Sequence, residues 1–297
     1  MTKNVDLVSV IVITYNSSNT VLETLDSIKQ QHYSHIELIV SDDASSDNTA
    51  ELVRKWIDNN SNFFLNVIFL GSEKNLGTSA NCNRGLYASN GDWIKIIAGD
   101  DILLPNCISD NINFTKINPE AELVQSLCKL YEGDFATIPV GEEPTNAKHK
   151  FFYLPDGKSQ YDFILNKGNF IYAPGIFVRK KIVEDVGGFD ERFRLMEDYP
   201  LWLKLTRSGK KFFLLPIATV GYRIHDKSVM KNSKPYLSAK FANESIFFLK
   251  NFFTGADYNF RVKREIFKFQ VAAYLDNIGL NKKGILPKLI YTLLFKL

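Results

Sequence analysis

The chain has 297 residues, enough to bury a core either as one large α/β domain with an appendage or as two domains. Hydrophobic residues make up 45% and charged residues 23%, and the net charge of +3 is too small to indicate a nucleic-acid partner. The charge is uneven, because the stretch from Gly255 to the end holds 8 Lys and Arg against 3 Asp and Glu. This composition favours a soluble globular protein with a basic C-terminal segment.

The three cysteines, Cys82, Cys107 and Cys128, are an odd number without CxxC spacing. They predict neither a disulfide framework nor a zinc site, and they fit a reducing compartment. The N-terminal segment lacks the apolar core of a signal peptide, and no run of 18 apolar residues occurs in the sequence. We therefore expect a cytoplasmic protein.

The first hundred residues alternate between apolar runs and segments with helical periodicity. Continuous β-branched or apolar runs predict buried strands at Leu7–Thr14, Ile36–Ser41, Asn66–Leu70 and Trp93–Ile97. The segments between them predict helices, ending at about Gln31, Trp56 and Ala88. This β-α-β-α order predicts a doubly wound, mostly parallel sheet with right-handed crossovers.

The second half predicts shorter and less regular elements. A helix from Pro105 is followed by a strand near Ala121–Leu130 and then by a long loop over Tyr131–Gly157. Two short strands are predicted at Phe212–Leu215 and Thr219–Ile224. From Ser233 onward the pattern is helical, so we expect an α/β domain over residues 1–230 and a helical extension over residues 231–297, with a boundary near His225–Lys234.

Polar residues follow three of the predicted strands at one edge of the sheet, as Thr14-Tyr15-Asn16, Asp42-Asp43 and Asp100-Asp101. Such an edge is where open α/β sheets bind ligands, and an aromatic face with carboxylates suits a nucleoside. The phosphate-binding loops GxGxxG and GxxxxGK[ST] are absent. A diphosphate would then need a divalent cation, which Asp100 and Asp101 suit. The alternative is a helix N-cap beside a solvated turn acid.

Two later segments also carry ionisable groups. Glu197 and Asp198 follow Gly187-Gly188-Phe189-Asp190 and open a predicted helix, where they either cap the helix or supply a carboxylate that takes a proton from a hydroxyl. Tyr222-Arg223-Ile224-His225 adds a cation and an imidazole after a strand. His225 is either a surface residue or a further metal ligand.

These segments resemble the family 2 glycosyltransferases, which are inverting enzymes with the A-type nucleotide-sugar fold. The resemblance runs in unbroken order from about Leu7 to His225 and is carried by SVIVITYN, SDDASSDNT, NLGTSANCNRGL, GDWIKIIAGDD and GGFDERF…MEDYPLWLKL. It implies a nucleotide-sugar half over about residues 1–105 and an acceptor half over about residues 106–230.

On the donor side, the resemblance implies that six residues bind the nucleotide sugar or support those that do: Thr14, Tyr15, Asn16, Asp42, Asp43 and Asp100. Asp43 would recognise the base, with Asp42 in support. A divalent ion, Mn²⁺ or Mg²⁺, would be held by Asp100, Asp101 and His225.

On the acceptor side, the resemblance implies that Asp198 is the catalytic base, with Glu197 beside it. The sequence departs from the family pattern at two positions. Ala98 stands where the first Asp of the acidic motif is usual, and Cys82 stands where an Arg is common. Arg84 could supply the positive charge in its place, whereas Cys82 suits a small buried apolar position.

The resulting hypothesis is an inverting transfer of a sugar from a nucleoside-diphosphate sugar, with a UDP-sugar expected, to a hydroxyl of a saccharide or lipid-linked saccharide. A bacterial surface-polysaccharide pathway is what the resemblance implies. One alternative is a non-catalytic scaffold that binds a nucleotide sugar. The other is a sugar-phosphate nucleotidyltransferase, which the lack of glycine in Met1–Asn19 disfavours.

The C-terminal segment Ile285–Leu297 has 9 apolar residues among 13, with lysines beside them. It predicts an amphipathic helix that lies on an anionic membrane, at the inner face of the plasma membrane, and brings the enzyme to a lipid-linked acceptor. The alternative is that the same face packs on the catalytic domain or on a second subunit.

Overall fold

The computed structural model describes residues 5–194, 196–224, 237–282 and 284–296. The chain divides into two compact units, Met1–Arg223 and Ile224–Leu297. Most of the boundary segment predicted from the sequence, from His225 onward, lies outside the described residues.

The described strands form one mixed sheet with helices packed against it. The strands are β1 Val8–Thr14, β2 Ile36–Asp42, β3 Asn66–Gly71, β4 Trp93–Ala98, β5 Ile102–Leu103, β6 Leu123–Glu132, β7 Gly141–Glu143, β8 Ile176–Arg179 and β9 Phe212–Ile224. The helices of this unit are α1 Val21–Lys29, α2 Thr49–Asn60, α3 Thr78–Ala88, α4 Cys107–Ile117, α5 Gly157–Lys167, α6 Lys180–Asp185 and α7 Asp198–Arg207.

The strand order is β3-β2-β1-β4-β8-β6-β9-β5, with β7 paired to β6. The strands β3, β2, β1 and β4 are parallel, whereas β8 pairs antiparallel with both β4 and β6. The predicted α/β architecture is confirmed, and its parallel part is the N-terminal half of the sheet. Because parallel strands end at the same edge, β1, β2 and β4 deliver their following residues to one side of the molecule.

Two close approaches set the geometry at that edge. Gly85 lets α3 lie directly on β1, since a Cβ at this position would be 2.3 Å from Ile11 Cγ2. Gly99 lets the turn after β4 approach β1, since its Cβ would be 2.8 Å from Thr14 Cγ2. Neither position has room for a side chain, so each glycine is needed for packing.

Two predicted segments differ in the structure. The strand β9 is continuous where two short strands are predicted, because the interrupting Pro216 lies on an exposed stretch of β9 where a missing backbone donor has little cost. The predicted loop Tyr131–Gly157 contains β7 and a 3₁₀ helix, Asn146–Phe151.

The second unit is helical, as predicted, with α8 Ala239–Phe252, α9 Phe260–Asn277 and α10 Ile285–Lys296. Its small core consists of Ala242, Ala272, Ala273, Leu275 and Tyr291. No helix in the described ranges has both the length and the apolar character that crossing a bilayer requires. The three cysteines are buried free thiols.

Candidate active site

The turns after β1 and β2 are tied to each other by side-chain hydrogen bonds. The Thr14 hydroxyl donates to Asp42 Oδ1 (2.7 Å), and Asp42 also accepts the backbone N–H and the hydroxyl of Ser45 at 3.0 and 2.6 Å. Asn16 Oδ1 accepts the Ser46 N–H at 2.8 Å. Asp42 is buried, so its carboxylate lies beneath this edge of the sheet and holds Thr14 and Ser45 in place.

Tyr15 and Asp43 occupy opposite environments at the same edge. Tyr15 is 53% exposed, which leaves its ring open to a stacking ligand. Asp43 is buried, and its two oxygens accept the backbone N–H groups of Leu76 and Gly77 at 2.9 and 2.8 Å. The Asp43 carboxylate therefore holds the loop that leads into α3.

Arg84 lies at the ends of β2 and β3. Its Nη2 donates to the carbonyls of Leu70 (2.6 Å) and Asp42 (3.2 Å), and its Nη1 is 4.0 Å from Asp43 Oδ1. Within the described part of the chain, this buried Nη1 has no hydrogen-bond partner. Arg84 therefore puts a positive charge beside Asp43, the residue expected to recognise the base.

Cys82 faces a different neighbour, because residues two apart on a helix point to different sides. Its thiol is buried, and burial raises the thiol pKa, with a further contribution from the charges of Glu197 and Asp198. The position where the family pattern has an arginine is thus a buried thiol that is influenced by the charges of Glu197 and Asp198, whereas the Arg84 guanidinium lies 4.0 Å from Asp43. That Arg84 supplies the missing positive charge stays a prediction.

The turn with the two adjacent carboxylates is seated on β1 and α1. The Gly99 N–H donates to the Ile13 carbonyl (2.9 Å), and the hydroxyls of Thr20 and Thr24 donate to the carbonyls of Gly99 (2.6 Å) and Asp101 (2.7 Å). These bonds to β1 and α1 fix the backbone from which both acidic side chains project.

Asp101 is 1% exposed, and one of its oxygens accepts the Arg223 N–H at 2.8 Å. Burial raises the Asp101 pKa well above its usual range, the Asp100 charge raises it further, and Arg223 and Lys95 oppose the rise. A cation close to both carboxylates would favour the ionised form of each.

The carboxylates of Asp100 and Asp101 are hard oxygen donors and fit a divalent cation. Asp100 is the more accessible of the two. His225, the third predicted ligand, lies outside the described residues. Among those that are described, no cluster of three or more His, Cys, Asp or Glu side chains could hold a metal ion.

Arg223 connects four segments, a role that the sequence did not reveal. Its Nε donates to the Asp100 carbonyl (2.8 Å), Nη1 to the Gly133 carbonyl and Nη2 to the Glu23 carboxylate. The guanidinium also lies 4.2 Å from the centre of the Phe135 ring. The segment Tyr222-Arg223-Ile224-His225 indicated that a cation follows the strand. The partners of Arg223 lie 88 to 200 residues away in sequence, so no local pattern could indicate them.

Glu197 and Asp198 lie at the N-terminus of α7. Asp198 Oδ1 accepts the Tyr199 N–H (2.6 Å), and Oδ2 accepts the Asn169 side-chain amide (2.7 Å). Burial and the neighbouring Asp198 raise the Glu197 pKa to about 8. Burial also raises the Asp198 pKa, against the hydrogen bonds from Asn169 and Tyr199. The pair can therefore hold a proton near neutral pH.

One loop brings this acidic pair towards the nucleotide side of the edge. Gly77, whose N–H binds Asp43, is followed by Thr78, whose N–H donates to the Arg194 carbonyl (3.1 Å). The Ser79 hydroxyl donates to the Phe193 carbonyl at 2.6 Å. The start of α3 thus contacts Asp43 on one side and the segment just before Glu197 on the other.

The comparisons with known proteins identify the family and the fold of the chain. The family model "Glycosyl transferase family 2" matches residues 9–187, which is more than half of the chain. The chain therefore belongs to glycosyltransferase family 2, and the resemblance inferred from its motifs is confirmed.

Two relatives are bacterial proteins of saccharide synthesis. WfaP of Escherichia coli, a UDP-Glc:alpha-D-GlcNAc-diphosphoundecaprenol beta-1,3-glucosyltransferase, is 26% identical over 230 residues, which cover 76% of this chain and 81% of WfaP. The succinoglycan biosynthesis protein ExoO of Rhizobium meliloti (strain 1021) is 26% identical over 224 residues, which cover 75% of this chain and 62% of ExoO.

Solved structures share the fold. TarS 1-349 of S. aureus in complex with UDP-GlcNAc matches with a TM-score of 0.62 at 18% identity, covering 97% of this chain and 79% of that one. The mannosyltransferase PcManGT from Pyrobaculum calidifontis, in complex with GDP-Man and Mn²⁺, matches with a TM-score of 0.58 at 16% identity, covering 97% and 68%. The A-type glycosyltransferase fold with C-terminal helices is thereby confirmed.

Proposed function

We propose that this glycosyltransferase moves a sugar from a nucleoside-diphosphate sugar, with a UDP-sugar as the expected donor, to an acceptor hydroxyl with inversion at the anomeric carbon. The observation that carries the proposal is the contact chain at the start of α3. Through residues 76–79, the buried Asp43 on the donor side is linked to the segment that precedes Asp198. A base for the acceptor is thus held beside a site suited to a nucleotide.

On the donor side, Thr14, Tyr15 and Asn16 line the base and ribose, with the Tyr15 ring stacked on the base, and Asp43 recognises the base with Asp42 in support. Asp100 binds the ribose and, with Asp101 and His225, would hold Mn²⁺ or Mg²⁺. When bound, such an ion neutralises charge on the departing diphosphate. The Mn²⁺ complex of PcManGT supports the use of a divalent cation, without bearing on which residues hold it.

On the acceptor side, Asp198 takes the proton of the attacking hydroxyl as that oxygen bonds to the anomeric carbon and the nucleoside diphosphate leaves. Glu197 keeps its own proton near neutral pH because its pKa is raised to about 8 by burial and by Asp198. The negative charge of the pair is then concentrated on Asp198, the residue that must act as the base.

The test is turnover by the full chain with UDP-glucose, UDP-GlcNAc, UDP-galactose and GDP-mannose, each with a diphospholipid-linked saccharide as acceptor. We expect nucleoside diphosphate release and an inverted product anomer, by NMR, with one UDP-sugar, loss of turnover in EDTA, and recovery with Mn²⁺. Asp198→Asn should lower kcat by about 10²–10⁴-fold while UDP binding changes less than about threefold.

The matched control is Asp162→Asn on the exposed side of α5, which should turn over like the wild type. Retained turnover in Asp198→Asn would remove that residue as the base. Release of pyrophosphate would indicate a nucleotidyltransferase, and UDP binding without any released product would support the scaffold alternative.

For the acceptor, we propose a lipid-linked saccharide of a surface polysaccharide, reached from the cytoplasmic face of the membrane. The support is the WfaP name, which specifies a diphosphoundecaprenol-linked acceptor for that protein, together with the outer face of α10. Four large apolar side chains of α10 are exposed, namely Ile285, Leu286, Leu289 and Leu293. With Lys288 among them, they suit contact with an anionic bilayer surface.

A further inference from the structure

The segment that follows α5 meets the start of α7. Gly168 ends α5 with φ +80, a conformation in which a side chain would be strained, and the chain then turns to Asn169. The Tyr199 hydroxyl donates to the Ile164 carbonyl at 3.1 Å, which ties α5 to α7. Asn169 is therefore delivered to the N-terminus of α7 by helix packing.

The hydrogen bonds of Asn169 define which way its amide points. Its Oδ1 accepts the Ile171 N–H (3.2 Å), a contact that only the oxygen end can make. The Nδ2 end is then directed at Asp198 and donates to Oδ2 at 2.7 Å. A neutral donor with a fixed direction thus holds one oxygen of the carboxylate, while the Tyr199 N–H holds the other at 2.6 Å.

We infer that Asn169 is a positioning residue of the transfer reaction, which orients the Asp198 carboxylate as a base and stabilises its ionised form. This inference rests on the proposed role of Asp198. An amide that donates to a carboxylate favours its charged state, and it also restricts the rotation of the side chain about χ2.

Titratable and hydrogen-bonding groups near Asp198 come from several parts of the chain. Just before α7, Glu197 holds a proton near neutral pH because its pKa is raised to about 8, and on α7 the Trp202 indole N–H lowers the Asp198 pKa. On α3, the buried Cys82 thiol is neutral. Among the described residues, Asn169 donates the side-chain hydrogen bond at 2.7 Å to this carboxylate, and its loss leaves the Tyr199 N–H and the weaker influence of Trp202.

The test compares Asn169→Ala and Asn169→Asp with wild type in kcat, donor KM and the pH profile of kcat. We expect Asn169→Ala to lower kcat by about tenfold or more, with donor KM within about twofold, and to move the acidic limb of the profile up by about one pH unit. The isosteric Asn169→Asp removes the donor and adds a like charge, so it should move the limb further.

The control is Asn59→Ala, an exposed asparagine whose amide donates within α2 and which should leave the profile unchanged. In the Asp198→Asn background, Asn169→Ala should cause no further loss, because the two residues act as one unit. An unmoved limb in Asn169→Ala, or a loss of kcat that is equal at every pH, would overturn the inference. Retained turnover in Asp198→Asn would instead refute the proposed base, so the two failures are distinguishable.

Discussion

At the scale of single residues, the candidate site holds acidic side chains in positions where burial and neighbouring carboxylates disfavour their ionised form. Glu197 and Asp198 are adjacent and half-buried, and the pKa of each is raised. The Asp101 pKa is likewise raised by burial and by the charge of Asp100. Burial and repulsion of this kind lower the stability of the folded chain, and they act on the residues proposed as the catalytic base and as cation ligands.

Glu197→Gln should stabilise the protein in a pH-dependent manner. The Glu197 pKa is about 8 when folded and near its usual 4.5 when unfolded, so unfolding releases a proton between these values. Below pH 4.5 the two states bind protons equally, and the penalty grows until about pH 8. We expect Tm to rise by about 2–4 °C or more at pH 8 and to change little at pH 4.5, measured by circular dichroism.

The control for this prediction is Glu51→Gln, which changes an exposed acid in the first turn of α2. Its effect on Tm should be small and similar at the two pH values. A Tm difference in Glu197→Gln that stays constant from pH 4.5 to pH 8 would mean that the Glu197–Asp198 pair does not hold an extra proton in the folded state.

At the scale of secondary-structure elements, Arg223 at the end of β9 connects parts that share no backbone pairing with one another. It reaches α1 through Glu23, the turn after β4 through Asp100, and the segment after β6 through Gly133 and Phe135. Two of these partners are carbonyls, one is a carboxylate and one is an aromatic ring, and a planar guanidinium with several donors can contact all four together.

Arg223→Met should loosen the segment after β6, because it removes the side-chain donors to Gly133, Asp100 and Glu23 while keeping an apolar stem. The expected cost is about 1–3 kcal/mol, which corresponds to a fall in Tm of several degrees. Hydrogen exchange read by mass spectrometry should be faster over residues 133–137 and unchanged in α2.

The control Arg54→Met removes an exposed cation that lies on the Phe69 ring. Equal exchange in Arg223→Met and wild type would contradict the connecting role.

The elements show which features local patterns can predict. The buried runs of β1, β2 and β4 and their acidic ends were predictable because burial on both faces leaves a continuous apolar signal. The order β4-β8-β6-β9 was not predictable, since strand pairing between distant segments has no local signature. For the same reason the sequence indicated Asp198 through its resemblance but gave no sign of Asn169, 29 residues earlier.

At the scale of the whole molecule, charge and apolar surface are distributed unevenly along the chain. The basic C-terminal segment has an excess of lysine and arginine, whereas acids predominate in the remainder. The inner side of α10 packs through Tyr291 on α9, where its hydroxyl meets the Ala272 carbonyl. The outward apolar side chains of the same helix therefore remain available for another surface, and basic groups favour one that is anionic.

Flotation with vesicles tests that surface. We expect the full chain to float with phosphatidylglycerol-containing vesicles more than with phosphatidylcholine alone, and to float less as salt rises from 0.1 to 1 M, because the Debye length shortens from about 10 to 3 Å. Leu286→Asp with Leu289→Asp should abolish flotation, since both the apolar burial and the charge balance are lost. The control Ile117→Asp with Ile138→Asp adds the same two negative charges at exposed isoleucines away from α10. Equal flotation of the α10 double variant and the wild type would remove α10 as the membrane contact. A dimer in light scattering that the α10 double variant dissociates would assign the face to a second copy of the chain instead.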